Sequence, residues 1–288
     1  MSLVTNASKI NPLEHIAHSD NKLSINDYAP RELVKNIFTY LLPEDLVRAS
    51  RVCKKWYNAT SESSFDSSLR KVSMLTKLFP SITVMDGPFW EEHFDLEALG
   101  LSVKDEPVFN KNKEIPFAKK LLAGTKVEGE AGITRLTIPK GHTFNKLETL
   151  GESPKEGNAT KFRLIWQGVR RELGDKEAAE TRIIYITNNI LEGTREEDIG
   201  KQQELVEKQG YELPDVLTAA TLPILKHVTS KKQPPPCLFE ESYTRTSNEI
   251  DGRRMFVGGF GSAGLHVYPN IFRDVYVGAG GSAEVPRT

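Results

Sequence analysis

Two prolines divide an apolar stretch near the N-terminus into short helical segments. Pro30 opens a segment in which apolar residues recur at helical spacing from Leu33 to Leu41. Pro43 ends that helix, because a proline inside a helix removes a backbone hydrogen bond. The same proline, followed by two acidic residues, suits the first turn of the next helix. Residues 24–69 are therefore predicted to form a small module of three short helices.

This module carries more apolar side chains than three short helices can bury among themselves. Its size is close to the limit of about 40 residues below which chains rarely fold without help. A surplus of apolar surface marks a face that a partner covers. The alternative is a plain three-helix bundle with no partner, and the residue pattern decides between the two.

Residues 29–56 resemble the F-box along its whole length. The family pattern runs Leu-Pro-x-Glu-Leu, Ile-Phe-x-x-Leu, Asp-Leu and Val-Cys-x-x-Trp, and this chain keeps the spacing with Ala29 in place of the first leucine. The resemblance implies a substrate adaptor that binds the Skp linker subunit and, through it, the cullin of a ubiquitin ligase. It also implies which residues lie in or directly beneath that interface: Pro30, Leu33, Ile37, Leu46, Val52 and Trp56.

The rest of the chain is predicted to be a polar, disordered leader at residues 1–23 and an α+β domain at residues 75–288 that recognises an unknown protein substrate. Expected strands lie at 81–85, 135–139, 182–187, 254–258, 265–268 and 274–277. Expected helices lie near 162–173, 196–209 and 214–228.

Three short segments of this domain are similar to an uncharacterised region found behind F-box-like modules in obligate intracellular bacteria. They are residues 138–147, 243–245 and 257–265. This second resemblance implies an effector that acts in the cytosol of a host cell and redirects the host ligase.

Composition excludes several classes of function. Thirty-eight Lys and Arg against thirty-nine Asp and Glu give a net charge of −1, which argues against general binding to nucleic acid or anionic membranes. Two cysteines, Cys53 and Cys237, cannot build a disulfide framework and indicate a cytoplasmic or nuclear protein. No stretch is apolar enough to predict a membrane span. No metal-ligand spacing, cofactor motif or catalytic constellation is expected, so the chain is predicted not to be an enzyme.

The segment Gly259-Phe-Gly-Ser-Ala-Gly264 matches the Gly-x-Gly-x-x-Gly of dinucleotide sites, which also requires a helix opening at the glycines. Here Pro269 and the 24 residues that remain after Gly264 leave no room for that helix. The segment is predicted to be a glycine hairpin or bulge, in which Gly261→Ala lowers the melting temperature.

A second class of function stays open at this point. The domain at 75–288 could be a small enzyme that binds a metabolite or cofactor and is tethered by the F-box. A pocket lined by converging polar groups favours this alternative, whereas an exposed apolar or aromatic patch favours the adaptor.

Overall fold

The structure is a computed structural model that describes residues 75–107, 109–129, 132–232, 239, 242–269 and 277–285. All of them belong to one unit of the chain, Arg70–Thr288. The predicted leader at 1–23 and the predicted F-box at 24–69 lie outside the described residues.

Nine strands are formed by the described residues. In chain order they are β1 (Ile82–Met85), β2 (Ile133–Ile138), β3 (Phe162–Ile165), β4 (Arg182–Thr187), β5 (Tyr243–Ile250), β6 (Arg253–Gly261), β7 (Gly264–Pro269), β8 (Val277–Gly278) and β9 (Ser282–Glu284). They build a four-stranded sheet in the order β1-β2-β4-β9 and a five-stranded sheet in the order β3-β7-β6-β5-β8. Both sheets mix parallel and antiparallel pairs.

Six helices with complete bounds accompany these strands in the described part, and residues 75–78 are helical as well. The six are α1 (Gly87–His93), α2 (Lys111–Gly124), α3 (Phe144–Glu152), α4 (Gln167–Leu173), α5 (Ile199–Lys208) and α6 (Val216–Val228). Aspartates cap three of them, at the starts of α1, α5 and α6. The side chain of Asp198 accepts a hydrogen bond from the Lys201 amide at the start of α5, and Asp215 accepts one from the Thr218 amide at the start of α6. These caps satisfy amides that have no partner within the helix.

Helix α6 lies at the centre of the larger apolar core. Eleven of its residues are buried, as expected for a helix that is apolar on every side. The core joins α6 and α3 to one face of the first sheet and to one face of the second, through side chains such as Leu136, Ile184 and Val257. We call the face of the second sheet that packs on α6 the inner face.

The opposite face of the first sheet packs against α2 and α5. Val84, Arg135 and Tyr185 lie side by side across three neighbouring strands on this face. A smaller apolar core forms around them, with Leu121 from α2 and Val206 from α5. The first sheet is therefore covered on both faces, and every residue of β2 is buried.

The prediction of an α+β domain is confirmed for the described residues, and several of its elements are confirmed as well. The strand at 182–187, the helices near 196–209 and 214–228, and the strands at 81–85, 135–139, 254–258 and 265–268 all exist, with bounds shifted by a few residues. Of the strand expected at 274–277, only its last residue is described, in β8.

The helix predicted over 162–173 is wrong in its first half. Residues 162–165 form strand β3, which pairs in parallel with β7, and the helix begins only at Gln167. Helices α1, α2 and α3 were not predicted, and neither were β5 and β9.

The glycine segment forms a β-hairpin, as predicted. Gly261 pairs with Gly264 across a two-residue turn, and the register shifts between Gly258 and Gly261 as in a bulge. The physical basis expected for the Gly261→Ala effect is absent, since a Cβ there meets nothing within 4 Å and its φ is not positive. The positive φ angles belong to Gly259, at 55°, and Gly264, at 113°.

Candidate functional site

The outer face of the second sheet, on the side away from α6, carries a cluster of aromatic and cationic side chains. Two rows of neighbouring residues cross the sheet on this side, the first through Tyr243, Gly258 and His266 to Leu164, the second through Arg245 and Phe256 to Tyr268. We call these residues the aromatic face. Tyrosine, arginine and other aromatic residues are enriched in protein interfaces.

A pair of glycines makes room for the ring of Tyr243. At Gly258 an added Cβ would lie 2.9 Å from a ring carbon of Tyr243, and at Gly259 it would overlap the Tyr243 hydroxyl. The ring therefore crosses β6 directly above the backbone. Its hydroxyl reaches His266 on the next strand, 3.3 Å from Nδ1.

His266 is the central residue of an aromatic triad. Its ring stacks on Tyr243, with centroids 6.3 Å apart, and meets Tyr268 edge-on at the same centroid distance. Burial lowers the pKa of His266, and the nearby charge of Arg163 lowers it further. The imidazole is therefore neutral at pH 7. Its Nε2 is buried and has no hydrogen-bond partner among the described residues.

Arg245 is a buried cation on the same face. It is 8% exposed, and its guanidinium lies over the ring of Phe256, 4.8 Å from the centroid. Such a cation–π contact contributes about 0.5–2 kcal/mol. Its Nε has no hydrogen-bond partner among the described residues. Burial lowers the pKa of Arg245, and the charge of Arg254 adds to that effect.

The aromatic face is therefore positively charged and only partly satisfied in its hydrogen bonding. Arg245 places a cation on this face, and the charge of Arg163 acts on His266. Two nitrogens, Nε2 of His266 and Nε of Arg245, have no hydrogen-bond partner among the described residues. Chemically, this arrangement can stack on apolar or planar side chains and attract acidic groups. None of these residues was predicted to form a binding surface, although Tyr243, Arg245 and Gly258 lie in segments noted for their resemblance and a further signal existed. Tyr243 and Arg245, like His266 and Tyr268, are two apart, which places each pair on one face of a strand.

A second group of polar side chains is buried beneath α2 and, unlike the aromatic face, presents no surface to a partner. Arg135 donates from Nε to Glu114 at 2.8 Å and from Nη1 to Glu106 at 3.2 Å. The Tyr185 hydroxyl donates to Glu114, and the Gly87 amide donates to Glu106. Burial alone would lower the pKa of Arg135, but the two carboxylates outweigh it and the pKa is raised.

This ion cluster is closed to solvent. The Arg135 side chain is fully buried, and the side chains of Glu106 and Glu114 are 7% and 3% exposed. Burial raises the pKa of Tyr185, and the charge of Glu114 raises it further. The cluster joins α2 and the segment before it to the first sheet, which is a structural role.

His142 is a core histidine. It is fully buried, its Nε2 lies 3.2 Å from the Thr221 hydroxyl on α6, and its ring packs edge-on against Trp90. Burial lowers its pKa to about 3, with a smaller contribution from the charge of Lys146. The imidazole is neutral at physiological pH and fits between α6 and α1 as a packed side chain.

The cleft beside the start of α6 has polar walls whose groups already bind one another. It has a volume of about 320 Å³. Arg182 donates to Asp215 at 3.3 Å, and the Asn248 side chain accepts from the Val216 amide at 2.7 Å. These groups fix the helix start, and few remain to hold a ligand.

The six residues assigned to the linker interface by resemblance lie outside the described residues: Pro30, Leu33, Ile37, Leu46, Val52 and Trp56. In the part of the chain that the structure describes, no group of three or more His, Cys, Asp or Glu side chains could hold a metal ion. No helix of that part is long and apolar enough to cross a membrane.

Residues 30–69 match the model of the F-box-like family. The match lies within the segment 24–69 that the sequence pattern indicated, and it supports a role in protein–protein interaction. Neither a curated protein nor a solved structure matches the chain.

Proposed function

We propose that this chain is a substrate adaptor of a Skp–cullin–F-box ubiquitin ligase. The observation that carries the proposal is the F-box-like match at residues 30–69. In this role the N-terminal module binds the Skp linker through the surface of Pro30, Leu33, Leu46 and Trp56, and the linker binds the cullin. Ubiquitin transfer needs no catalytic residue from the adaptor, because other subunits of the ligase carry that chemistry.

The aromatic face supports a recognition role for the second part of the chain. Tyr243, His266 and Tyr268 are each partly exposed, so their rings are accessible to a bound polypeptide. A pocket lined by polar groups favours an enzyme, and an exposed apolar or aromatic patch favours an adaptor. This face provides an aromatic patch. We therefore propose that the substrate contacts the second sheet.

We also propose that the adaptor works in the cytosol of a host cell as a bacterial effector. Support comes from the resemblance of residues 138–147, 243–245 and 257–265 to regions behind F-box-like modules of intracellular bacteria. Two of these segments lie on adjacent strands, since Tyr243 pairs with Gly258 and Arg245 with Phe256. Expression of the tagged chain in a eukaryotic cell, followed by fractionation, checks whether it stays in the cytosol.

Reconstitution tests the adaptor role. The purified chain is mixed with the Skp linker and the N-terminal domain of a cullin, and the mixture is separated by size-exclusion chromatography. We expect a ternary complex in which the chain and the cullin co-elute only when the linker is present. A folded chain that elutes alone at concentrations of about 10 μM, well above the dissociation constants of stable complexes, contradicts the proposal.

A further inference from the structure

We propose that the free edge of β3 binds an extended acidic segment of a partner protein, which adds to the second sheet as a further strand. The inference deepens the adaptor function and rests on it for the partner's role as a substrate. The binding itself depends only on the chemistry of this edge.

The backbone of β3 is paired on one side. The Leu265 amide of β7 donates to the Lys161 carbonyl at 3.0 Å, and the Trp166 amide donates to the Val267 carbonyl at 2.9 Å. Phe162 and Ile165 are the direct neighbours of Leu265 and Val267. Because β7 bonds to the residues on either side of Phe162 and Ile165, these two residues turn their own N–H and C=O groups away from β7.

That other side is a sheet edge within the described part of the chain, because β3 is the terminal strand of its sheet. Arg163 and Leu164 are exposed at this edge, whereas Phe162 is buried. The edge of the first sheet at β9 is different. There Glu212 and Ser282 exchange two backbone hydrogen bonds of 2.8 Å and cover the strand. An uncovered row of backbone donors and acceptors is a template for another strand.

The side chains at this edge are apolar and basic. Leu164 is 49% exposed, more than any other large apolar side chain of the described residues except Leu78. Lys161 and Arg163 are exposed and have no ion-pair partner among the described residues. At the end of the strand, Arg253 lies over the Trp166 ring, 6.0 Å from its centroid.

Charge selects the occupant. A second copy of the chain, paired edge to edge, would bring Lys161 and Arg163 close to their own counterparts, and like charges on neighbouring strands are destabilising. An acidic strand meets these cations with the opposite sign. Leu164 is the direct neighbour of His266, so an apolar side chain beside Leu164 also reaches the aromatic face.

The register of β3 against β7 shifts between Phe162 and Leu164, as at a bulge. This bulge and the charges of β3 have a second interpretation, since proteins use both to protect edges from aggregation. The exposure of Leu164 argues against protection alone. A protected edge places polar side chains outward, whereas this one presents a large apolar side chain next to two unpaired cations.

The test uses the full chain and a fluorescein-labelled peptide of about ten residues, the upper range of strand lengths. The peptide alternates Glu and Val, and a control peptide has Lys in place of Glu. Fluorescence anisotropy measures binding to the parent chain and to Arg163→Glu. The matched control is Lys119→Glu, an equal charge reversal at an exposed position on α2.

We expect the Glu peptide to bind and the Lys peptide not to bind. Arg163→Glu weakens the affinity for the Glu peptide about tenfold, because the reversed charge replaces an exposed attraction with a repulsion. Lys119→Glu leaves this affinity within about twofold of the parent value. Hydrogen–deuterium exchange of the complex shows slower exchange at residues 162–165. No binding, equal binding of both peptides, or binding without protection at 162–165 overturns the proposal.

Binding of the Skp linker is measured on the same preparations. A chain that binds the linker but not the Glu peptide contradicts only the edge site. A chain that binds the peptide but not the linker contradicts only the adaptor function. Self-association of the parent through β3, lost in Arg163→Glu, also contradicts the edge site, since it identifies the occupant as a second copy.

Discussion

The ring of Tyr243 lies directly against the backbone of Gly259, so that a Cβ at position 259 would overlap the Tyr243 hydroxyl. Gly259 also has a φ of 55°, a conformation that residues other than glycine rarely adopt. The same hydroxyl lies 3.3 Å from His266 Nδ1. Gly259, together with Gly258, thus allows a side chain of β5 to reach a side chain of β7 across the strand between them.

Substituting this glycine is expected to destabilise the unit. In Gly259→Ala, the positive φ and the overlap with Tyr243 lower the free energy of unfolding by about 1–3 kcal/mol. Gly261→Ala, two residues away, is the matched control and is expected to change little, because a Cβ there meets nothing within 4 Å. Thermal unfolding of both variants checks the difference. Equal melting temperatures for the two variants contradict the described packing of Tyr243.

Arg245→Met is expected to maintain or raise stability. Arg245 forms no ion pair with a carboxylate of the described residues. The penalty of burying its charge is only partly offset by the charge of Asp198 and the contact with Phe256. Methionine keeps the apolar contact, so the free energy of unfolding rises by up to about 1 kcal/mol. Chemical denaturation measures this change. A loss of stability greater than about 2 kcal/mol would show that Arg245 has a strong partner.

The opposite result is expected at Arg135, although both arginines are buried. Arg135→Met leaves Glu106 and Glu114 without their counter-charge, and breaking a buried ion pair typically costs about 3–5 kcal/mol. Arg171→Ala is the control, since Arg171 forms exposed ion pairs with Glu172 and Asp251 and little change is expected. An Arg135→Met variant as stable as the parent in denaturant contradicts the closed cluster.

His142 predicts a pH dependence of stability. Its pKa is lowered to about 3 in the folded chain, against about 6.5 when unfolded. Between these values the unfolded state binds the extra proton, so stability decreases as the pH falls below about 6.5. The slope contributed by one group is at most about 1.4 kcal/mol per pH unit.

A variant isolates this contribution from the carboxylates that titrate in the same range. His142→Gln removes the titrating group and keeps a side chain that can reach Thr221. Denaturation of the parent and the variant between pH 7 and 5 gives the difference in slope. Parallel pH profiles contradict a buried neutral His142.

The sequence predicts well the elements whose own pattern specifies them. Strand β4 is an apolar run with β-branched residues, and α6 is mostly apolar over its thirteen residues, so both are recognised without tertiary information. Helix α2 buries only three of its residues, so its apolar pattern is weak, and Pro116 lies inside it. Pro223 lies inside α6 as well, but there apolar residues on both sides indicate the helix. Strand β3 was taken for helix because its strand state depends on pairing with β7, a contact far along the chain.

The sites divide in the same way. The F-box pattern was found from the sequence because its residues are contiguous, and residues 30–69 match the family model. The aromatic face was not found, because Tyr243, His266 and Leu164 become neighbours only through the register of the second sheet. No local pattern records that register.

The affinity of the full chain for the Skp linker tests the adaptor function most directly. Isothermal titration compares the parent with Trp56→Ala and with Lys55→Ala, its neighbour in the polar part of the F-box pattern. We expect the parent to bind with a Kd of about 1 μM or tighter. Trp56→Ala should lose both stability of the module and binding, since the F-box resemblance assigns Trp56 to the interface or the layer beneath it, and truncating a buried aromatic residue typically costs about 3–5 kcal/mol. Lys55→Ala should bind like the parent. A folded parent chain that binds no linker contradicts the adaptor function.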